Sequence, residues 1–331
     1  MVPLSVLDLV TVREGTGVGD ALAASIESAR TAEAAGYKRY WVAEHHGMEG
    51  VAGGATAVVL AAIGNATRTI RVGSGGIMLP NHSPYAIAEQ FGTLAALFPG
   101  RIDLGLGRAP GADGRVGQML RRDLRQAAEQ FPQDVLELRA LFAGDPEVPL
   151  PASPGRGAEV EMWMLGSSLF GASLAAALGL PYAFASHFAP DHLDAALALY
   201  RERFRPSATL DRPHVMAAMM VVCAQNDAEA QTLASSQEQG FVALRSGTPG
   251  KMKPPVEGYR ASLPPQFQAM FTHLDQARAV GSPQTVRERI EAFVARTGAD
   301  EIILSGATFD PAAQYRSLAL TAEAFGLNMR Q

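Results

Sequence analysis

The sequence has few of the residues that build covalent cross-links or thiolate sites. Cys223 is the only cysteine among 331 residues, which excludes an intrachain disulfide and a thiolate-rich metal centre. Charged residues make up only 18% and the net charge is −5, so the charge gives no reason to expect a nucleic acid or an anionic membrane as a partner. No apolar run is long enough to span a bilayer, and the apolar N-terminus lacks the basic start of a signal peptide. We therefore expect a cytoplasmic protein.

The chain consists of short apolar runs that alternate with amphipathic helical patterns. Asp20 is an acceptable N-cap for the first helix, and Gly36 follows its end, where a left-handed residue is favoured. The same order of helix, glycine and strand returns at Gly179 and Gly298. Eight strands are predicted, each followed by a helical pattern, near residues 4–9, 38–43, 70–75, 101–106, 162–166, 182–186, 214–222 and 300–304.

Repeated strand–helix units predict an α/β protein with a parallel sheet, and eight of them can close into a (β/α)8 TIM-type barrel. A doubly wound open sheet is the alternative, because closure is not visible in a sequence. We treat 1–331 as a single barrel domain with insertions at its C-terminal mouth, near 143–160 and 245–271. Both are rich in proline and glycine, and neither resembles a strand or a long regular helix. The second is either a lid or a disordered connection.

The functional residues of such a barrel lie where its strands end. The turn Gly166-Ser167-Ser168 leads from a strand into a helix, whose free N–H groups and dipole favour an anion. Serine N-capping alone explains this turn as well, but Arg108, after the neighbouring strand, adds a cation that suits a phosphate. Gly75 and Gly76, behind Ser74, indicate either a flat ring lying on the backbone or a simple bulge.

Glu44, His45 and His46 follow the second strand and are open to three interpretations. A metal site needs further ligands from other strands, and Asp8 and Asp310 are the only obvious acids at strand ends, so a metal-dependent hydrolase is a distant alternative. The histidines can also be an exposed pair without a role. The third interpretation is catalytic acid–base chemistry, which an imidazole near neutral pKa suits.

Four separated stretches resemble the bacterial luciferase-like monooxygenases, and in particular their single-chain flavin-dependent oxidoreductases of unknown substrate. They are "AEHHG" (43–47), "IRVGSGGIMLPNHSPYAIAEQFGTLAALFPGRIDLGLGRAPGAD" (70–113), "LGSSLFGASLAAALGLPYAFASHFAP" (165–190) and "GSPQTVRERIEAFVARTGADEIIL" (281–304). The resemblance covers nearly the whole chain and is weakest over 245–271. It is specific for the family and not for a substrate.

The resemblance implies a barrel that binds reduced FMN at its C-terminal mouth. His45 takes the place of the family's catalytic histidine, with Glu44 beside it and His46 as a supporting partner. The phosphate would be held by Arg108, Gly166, Ser167, Ser168 and Gly171. The flavin ring would lie on the backbone of Ser74, Gly75 and Gly76, where the family often has a non-prolyl cis peptide.

The implied activity is a flavin-dependent monooxygenase that uses reduced FMN and O2 to oxygenate a small organic substrate. The implied partners are a separate flavin reductase and a second copy in a homodimer. The alternatives are an F420-dependent hydride-transfer oxidoreductase on the same fold and a non-catalytic flavin-binding protein. Luciferase itself has a cysteine where this chain has Gly107, and an acidic residue in place of Ser167, so light emission is not implied.

Overall fold

The computed structural model describes residues 2–109, 114–120 and 123–327. Its parallel strands are β1 (Leu4–Asp8), β2 (Arg39–Val42), β3 (Arg71–Met78), β4 (Ile102–Gly107), β5 (Glu161–Gly166), β6 (Tyr182–Phe184), β7 (Val215–Cys223), β8 (Arg278–Gly281) and β9 (Glu301–Ser305). Strands β1 to β7 pair in chain order, and β9 pairs with both β7 and β1. The sheet is therefore a closed eight-stranded TIM-type barrel, and the open doubly wound alternative was wrong.

The helices follow the strands and cover the outside of the barrel. They are α1 (Val18–Ala34), α2 (Thr56–Ala66), α3 (Pro84–Leu97), α4 (Gly114–Met119), α5 (Leu124–Ala143), α6 (Leu169–Leu178), α7 (Leu193–Arg203), α8 (Asp227–Arg245), α9 (Tyr259–Ser262), α10 (Pro265–Leu274), α11 (Pro283–Thr297) and α12 (Pro311–Ala324). Among the helices of the described residues, none is long and apolar enough to cross a membrane.

Two predicted helix boundaries illustrate how local chemistry sets them. Gly36 has φ +86° and Gly179 has φ +62°, so both adopt the left-handed conformation that the sequence predicts for them. The first helix begins at Val18, however, and its N-cap is Gly17. Asp20 lies in the first turn, where its carboxylate accepts the Gly17 N–H at 2.8 Å. The prediction of Asp20 as the N-cap was therefore wrong.

A ninth strand, β8, was missed by the sequence analysis. It pairs with Met220–Cys223, the second half of β7, while the first half of β7 pairs with β6 and β9 inside the barrel. Strand β7 is an apolar run of nine residues, all buried, as expected for a strand covered on both faces. Strand β8 has only four residues and begins at an arginine, so its sequence carries little periodic signal.

The 245–271 segment is held by contacts with the rest of the chain, which excludes the disordered connection. Met252 exchanges backbone hydrogen bonds with Val12 and Glu14 in the loop after β1, at 2.9 and 2.8 Å. Farther along, Arg260 binds Glu238 of α8 at 2.7 Å. The segment also enters α10, a ten-residue helix that the sequence analysis did not predict.

Two tryptophans fill much of the barrel interior. Trp41 of β2 and Trp163 of β5 are buried and meet edge to face, with ring centroids 5.3 Å apart. They belong to a separate inner cluster whose other buried members are Leu7, Ala43, Ala183, Met216, Ala218 and Ile303. This packing closes the barrel below its mouth.

The floor of the barrel is a buried network of charged side chains. Arg39, the first residue of β2, binds Asp103 at 2.9 Å, Glu301 at 3.0 Å and Glu161 at 3.1 Å. Its guanidinium also lies 4.7 Å from the centroid of the Trp163 ring. Because these residues come from the N-terminal ends of β2, β4, β5 and β9, one cation joins four strands.

The two fully buried carboxylates of this network respond differently to burial. At Asp103 burial outweighs the charges of Arg39 and Arg71 and raises the pKa, whereas at Glu301 the neighbouring cations outweigh burial. Burial by itself raises the pKa of Glu301, but His214, Arg39 and Lys38 together lower that pKa to about 2. An ion pair this deep is costly to break, because the charge that remains is buried and uncompensated.

We expect Arg39→Met to lower the free energy of unfolding by about 3–5 kcal/mol, the usual cost of removing one partner from a buried ion pair. Urea unfolding at pH 7.5 measures it. Arg30→Met is the matched control, because Arg30 pairs with Glu27 at 3.3 Å while both side chains are more than half exposed, and we expect a loss of at most about 1 kcal/mol there. Equal small losses in both variants would show that the floor network does not stabilise the barrel.

Candidate active site

Glu44 links three strand-end segments at the mouth of the barrel. The side chain is 1% exposed, and its Oε1 lies 2.6 Å from Nε2 of His46 and 2.7 Å from Nε2 of His82. Its Oε2 accepts the backbone N–H of Met78, the last residue of β3, at 3.2 Å. Glu44 therefore joins the loop after β2 to the end of β3 and to the turn that follows.

The charge state of Glu44 suits this anchoring. Burial raises the pKa of Glu44, but the hydrogen bonds and charges of His82 and His46 outweigh it, and the net effect is a lowered pKa. Glu44 is thus a carboxylate near neutral pH, and both of its oxygens accept hydrogen bonds. It can orient its neighbours, but it has no proton to donate.

His82 is the partner that the sequence analysis did not connect with Glu44. It follows β3, the direct neighbour of β2, so adjacency in the predicted barrel was the signal that could have paired them.

The two acids that the sequence analysis named at strand ends, Asp8 and Asp310, are both engaged in hydrogen bonds within the fold. Asp8 accepts hydrogen bonds from Ser25 and Tyr40, and Asp310 is the N-cap of α12.

Glu44, His46 and His82 together could hold a metal ion, since their ligand atoms all lie within 4.8 Å of one another. Imidazole and carboxylate are suitable ligands for zinc and for other transition metals. One carboxylate oxygen, however, already lies within hydrogen-bond distance of both imidazoles. The three side chains therefore satisfy one another as a hydrogen-bonded group, and a metal ion would have to replace both bonds.

His45 points to different chemistry from that of His46. It is half-buried, and its pKa is lowered because burial disfavours the charged imidazole; Glu44 opposes this shift, and His46 adds to it by a smaller amount. The ring is therefore neutral near pH 7 and able to accept a proton. Within the described part of the chain, no residue forms a hydrogen bond with its ring nitrogens, which leaves them available to a ligand.

The end of β3 forms an irregular backbone wall beside these histidines. A cis peptide joins Gly75 to Gly76, and the register with β4 shifts between Ser74 and Ile77. The Ser74 hydroxyl is buried and bonded to the carbonyl of Gly105 at 3.0 Å. Ser74 as a whole is buried, so neither its hydroxyl nor its backbone is open to a ligand.

The two glycines are required by the protein's own packing. A Cβ on Gly75 would lie 2.5 Å from Leu7, and one on Gly76 would lie 2.7 Å from the Gly105 oxygen. The bulge that the sequence left open as an explanation is therefore present, and no ring is needed to explain the glycines. Both residues are nevertheless partly exposed, so one side of their backbone is open at the mouth.

The turn after β5 and Arg108 come together as the sequence predicts. Ser168 is the N-cap of α6, yet among the described residues no side chain caps the first turn, so its N–H groups are free for an anion. The exposed Arg108 guanidinium lies 4.0 Å from the centroid of the Phe170 ring, in that same first turn. A cation and free helix N–H groups therefore converge on one small volume.

Gly166 and Gly171 bring the two sides of this turn close together. A Cβ built on Gly171 would lie 3.7 Å from Cα of Gly166 and 3.5 Å from the Tyr182 ring. The Tyr182 hydroxyl donates to the carbonyl of Ser168 at 3.2 Å, which fixes the turn against β6. Ser167 and Ser168 are partly exposed at its open side.

His187 follows β6 and is another half-buried histidine at the mouth. Its ring packs edge to face on the exposed Phe188, with centroids 5.0 Å apart. The pKa of His187 is lowered to about 4, mainly by burial and further by the nearby His45.

A cleft of about 670 Å³ lies outside the barrel, between α8, α9 and β8. Its charged side chains include Glu238, Arg260, Asp275 and Arg278, which pair with one another. The free cation, the free helix N–H groups and the neutral histidines are instead gathered at the mouth, which is therefore the candidate site.

Fold and site together define a β/α-barrel protein with an uncapped helix N-terminus beside an arginine, and with neutral imidazoles, at the carboxyl ends of its strands. The sequence model of the luciferase-like monooxygenase family matches residues 2–301. The chain belongs to that family.

Individual relatives agree over the full length. A luciferase-like monooxygenase of Escherichia coli (strain K12) is 45% identical over 323 residues, covering 97% of this chain and 96% of the relative. The crystal structure of apo-MsnO8 is 34% identical, with a TM-score of 0.89 and full coverage of both chains.

More distant structures share the fold alone. One is the oxygenating constituent of 3,6-diketocamphane monooxygenase from Pseudomonas putida in complex with FMN, 19% identical with a TM-score of 0.73 and full coverage of both chains. Another is an F420-dependent secondary alcohol dehydrogenase with an F420–acetone adduct, 15% identical with a TM-score of 0.72, covering 100% of this chain and 99% of the other.

The lowered pKa of His187 predicts part of the acid sensitivity of the fold. The folded ring protonates at a pKa of about 4 instead of 6.5, so the unfolded chain binds the proton first and stability falls as the pH drops through this window. Between pH 7.5 and pH 5, His187 should cost the wild type about 2 kcal/mol of its free energy of unfolding. We expect His187→Gln, which does not titrate there, to lose about 2 kcal/mol less than the wild type over the same range. Urea unfolding at both pH values measures the difference, and an equal loss in the two proteins would contradict it.

Proposed function

We propose that the protein is a flavin-dependent monooxygenase that uses reduced FMN and O2 to oxygenate a small organic substrate. The observation that carries the proposal is the convergence of Arg108 and the uncapped first turn of α6. Membership in the luciferase-like monooxygenase family supports it, and so does the open backbone at Gly75 and Gly76. The proposed phosphate and ring sites then lie at neighbouring strand ends.

The residues at the mouth fit the parts of FMN. A phosphate dianion would accept hydrogen bonds from the N–H groups beyond Ser168, where the helix dipole favours negative charge. Arg108 adds charge-assisted hydrogen bonds from the other side. The partly exposed backbone of Gly75 and Gly76, which follow the buried Ser74, offers a surface for the isoalloxazine ring without a side chain in the way.

Reduced flavin, when bound, supplies the electrons and the reactivity towards O2. The protein's own residues transfer a proton, position the site and exclude water. In the proposal, His45 accepts or returns a proton at a ring nitrogen, because burial keeps the imidazole neutral near pH 7. Glu44 is a positioning residue that holds the loop carrying His45 against the end of β3. The walls of the mouth exclude water from the reacting atoms.

Two partners belong to the proposal. Reduced FMN would come from a separate flavin reductase. A second copy of the chain would dock on α2 and α3, where Val58 is 71% exposed and Leu97 is 59% exposed.

An F420-dependent hydride-transfer oxidoreductase is the second candidate, because a protein of the same fold binds an F420–acetone adduct. It would need no O2. A flavin-binding protein without turnover is the third, and it would bind flavin yet consume no O2 with any substrate.

The direct test is titration of the apo-protein with FMN in both redox states, and with F420 in parallel. We expect reduced FMN to bind more tightly than oxidised FMN and than F420. Preference for F420 would exclude the monooxygenase and favour anaerobic hydride transfer. Binding of neither cofactor would remove the flavin proposal altogether.

Riboflavin tests the phosphate site separately, because it lacks the phosphate. We expect Arg108→Gln to weaken FMN binding about 10- to 100-fold, the value of a charge-assisted hydrogen bond, and to leave riboflavin binding unchanged. Arg125→Gln is the matched control, since Arg125 is fully on the surface of α5 with a side chain 92% exposed. Equal weakening of FMN and riboflavin would place Arg108 outside the phosphate site.

We expect His45→Ala to lower substrate oxygenation by about 10²- to 10⁴-fold, as for loss of an acid–base group, and to spare FMN binding. The assay supplies reduced FMN through a reductase and measures oxygenated product from a substrate panel. His273→Ala is the control, because His273 is half exposed and pairs with the exposed Asp191. Retained turnover, or a matching loss of flavin affinity, would remove His45 from this role.

A further inference from the structure

His187 and His45 occupy equivalent places on opposite sides of the barrel. His45 comes three residues after the end of β2, and His187 comes three residues after the end of β6. These are the second and sixth of the eight barrel strands, so their ends face each other across the mouth. His45 also contributes to the lowered pKa of His187, which agrees with two rings that lie towards the centre of the mouth.

The two ring nitrogens of His187 have different surroundings. Nδ1 is buried and has no hydrogen-bond partner among the described residues. Nε2 also makes no hydrogen bond within this part of the chain, but it is not enclosed. A buried N–H without a partner is rarer and more costly than a buried acceptor without one. The proton of the neutral ring therefore belongs on Nε2, which becomes a free donor at the mouth.

Apolar side chains are exposed on the strand-end segment that carries His187 and on the segment beside it. Phe188 and Leu169 are each 43% exposed, at the ends of the neighbouring strands β6 and β5. His187 stays neutral at physiological pH, so it offers no charge to attract an anion. This side of the mouth suits an apolar group that carries one hydrogen-bond acceptor.

We propose that His187 is a substrate-positioning residue whose Nε2–H donates to an acceptor oxygen, such as a carbonyl, on an uncharged apolar substrate. The substrate would lie between His187 and His45, with its apolar part against Phe188. This inference rests on the proposed function, which makes the mouth the reaction site, and it adds the class of substrate.

The first test needs no cofactor. Nitrogen-15 NMR of the imidazole rings in the apo-protein at pH 7 reports both charge and tautomer. We expect His187 to be neutral with its proton on Nε2, identified by comparison with His187→Gln. A proton on Nδ1, or a charged ring, would overturn the proposal.

The second test measures binding of two probes of equal shape, 2-octanone and its alkene analogue 2-methyl-1-octene. We expect His187→Phe to weaken binding of the ketone about three- to tenfold, the value of one neutral hydrogen bond, and to leave the alkene unaffected. His187→Gln retains an N–H donor and should keep most of the ketone affinity. His192→Phe is the control, because His192 is exposed and precedes α7.

Ligand-observed NMR with the apo-protein and with protein saturated with oxidised FMN gives these affinities. Equal effects on both probes, no effect on the ketone, or no binding of either probe would each overturn the proposal. FMN binding should be the same in all variants. Failure of the wild type to bind FMN would contradict the proposed function. The tautomer of His187 and the probe preference of the apo-protein would still decide the role of His187.

Discussion

The closed barrel depends on one buried cation. Arg39 is 3% exposed and binds carboxylates from three other strands at the N-terminal end. Each of these contacts fixes the relative height of two strands, so the network sets the register of half the barrel. Charges in such a place are costly to desolvate and stabilise the fold only as a complete set. With the floor and the tryptophan layer fixed, the strand ends at the mouth are held in place as well.

At that mouth, the contacts separate residues that orient from residues that can react. Glu44 was grouped with His45 as catalytic from its position in the sequence. Its two oxygens are instead occupied by His46, His82 and the backbone of Met78. His45 and His187 remain neutral and are not engaged by the described residues. Glu44 thus anchors His46 and His82, while the ring nitrogens of His45 and His187 stay available to a ligand.

Much of the fold followed from the sequence because its signals are local. Apolar runs placed all eight barrel strands to within a few residues. Gly36 and Gly179 marked helix ends, because a helix can end at a glycine that adopts the left-handed backbone conformation. Arg108 and the turn at Ser168 were also brought together, since adjacent parallel strands end side by side. Such local signals were absent for β8, which is short and starts with a charged residue. Local signals also could not show that Glu44 pairs with His82, because this contact depends on the directions of two side chains that follow neighbouring strands.

The glycines of β3 divide the mouth into a fixed wall and a variable one. At Gly75 and Gly76 there is no volume for even a methyl group, because Leu7 and the Gly105 carbonyl occupy it. Across the mouth, Leu169 and Phe188 face open space, and substitutions there meet no such obstacle. The scaffold can therefore explore new substrates by changing one side of the mouth while the other side stays constant, which makes this architecture readily evolvable.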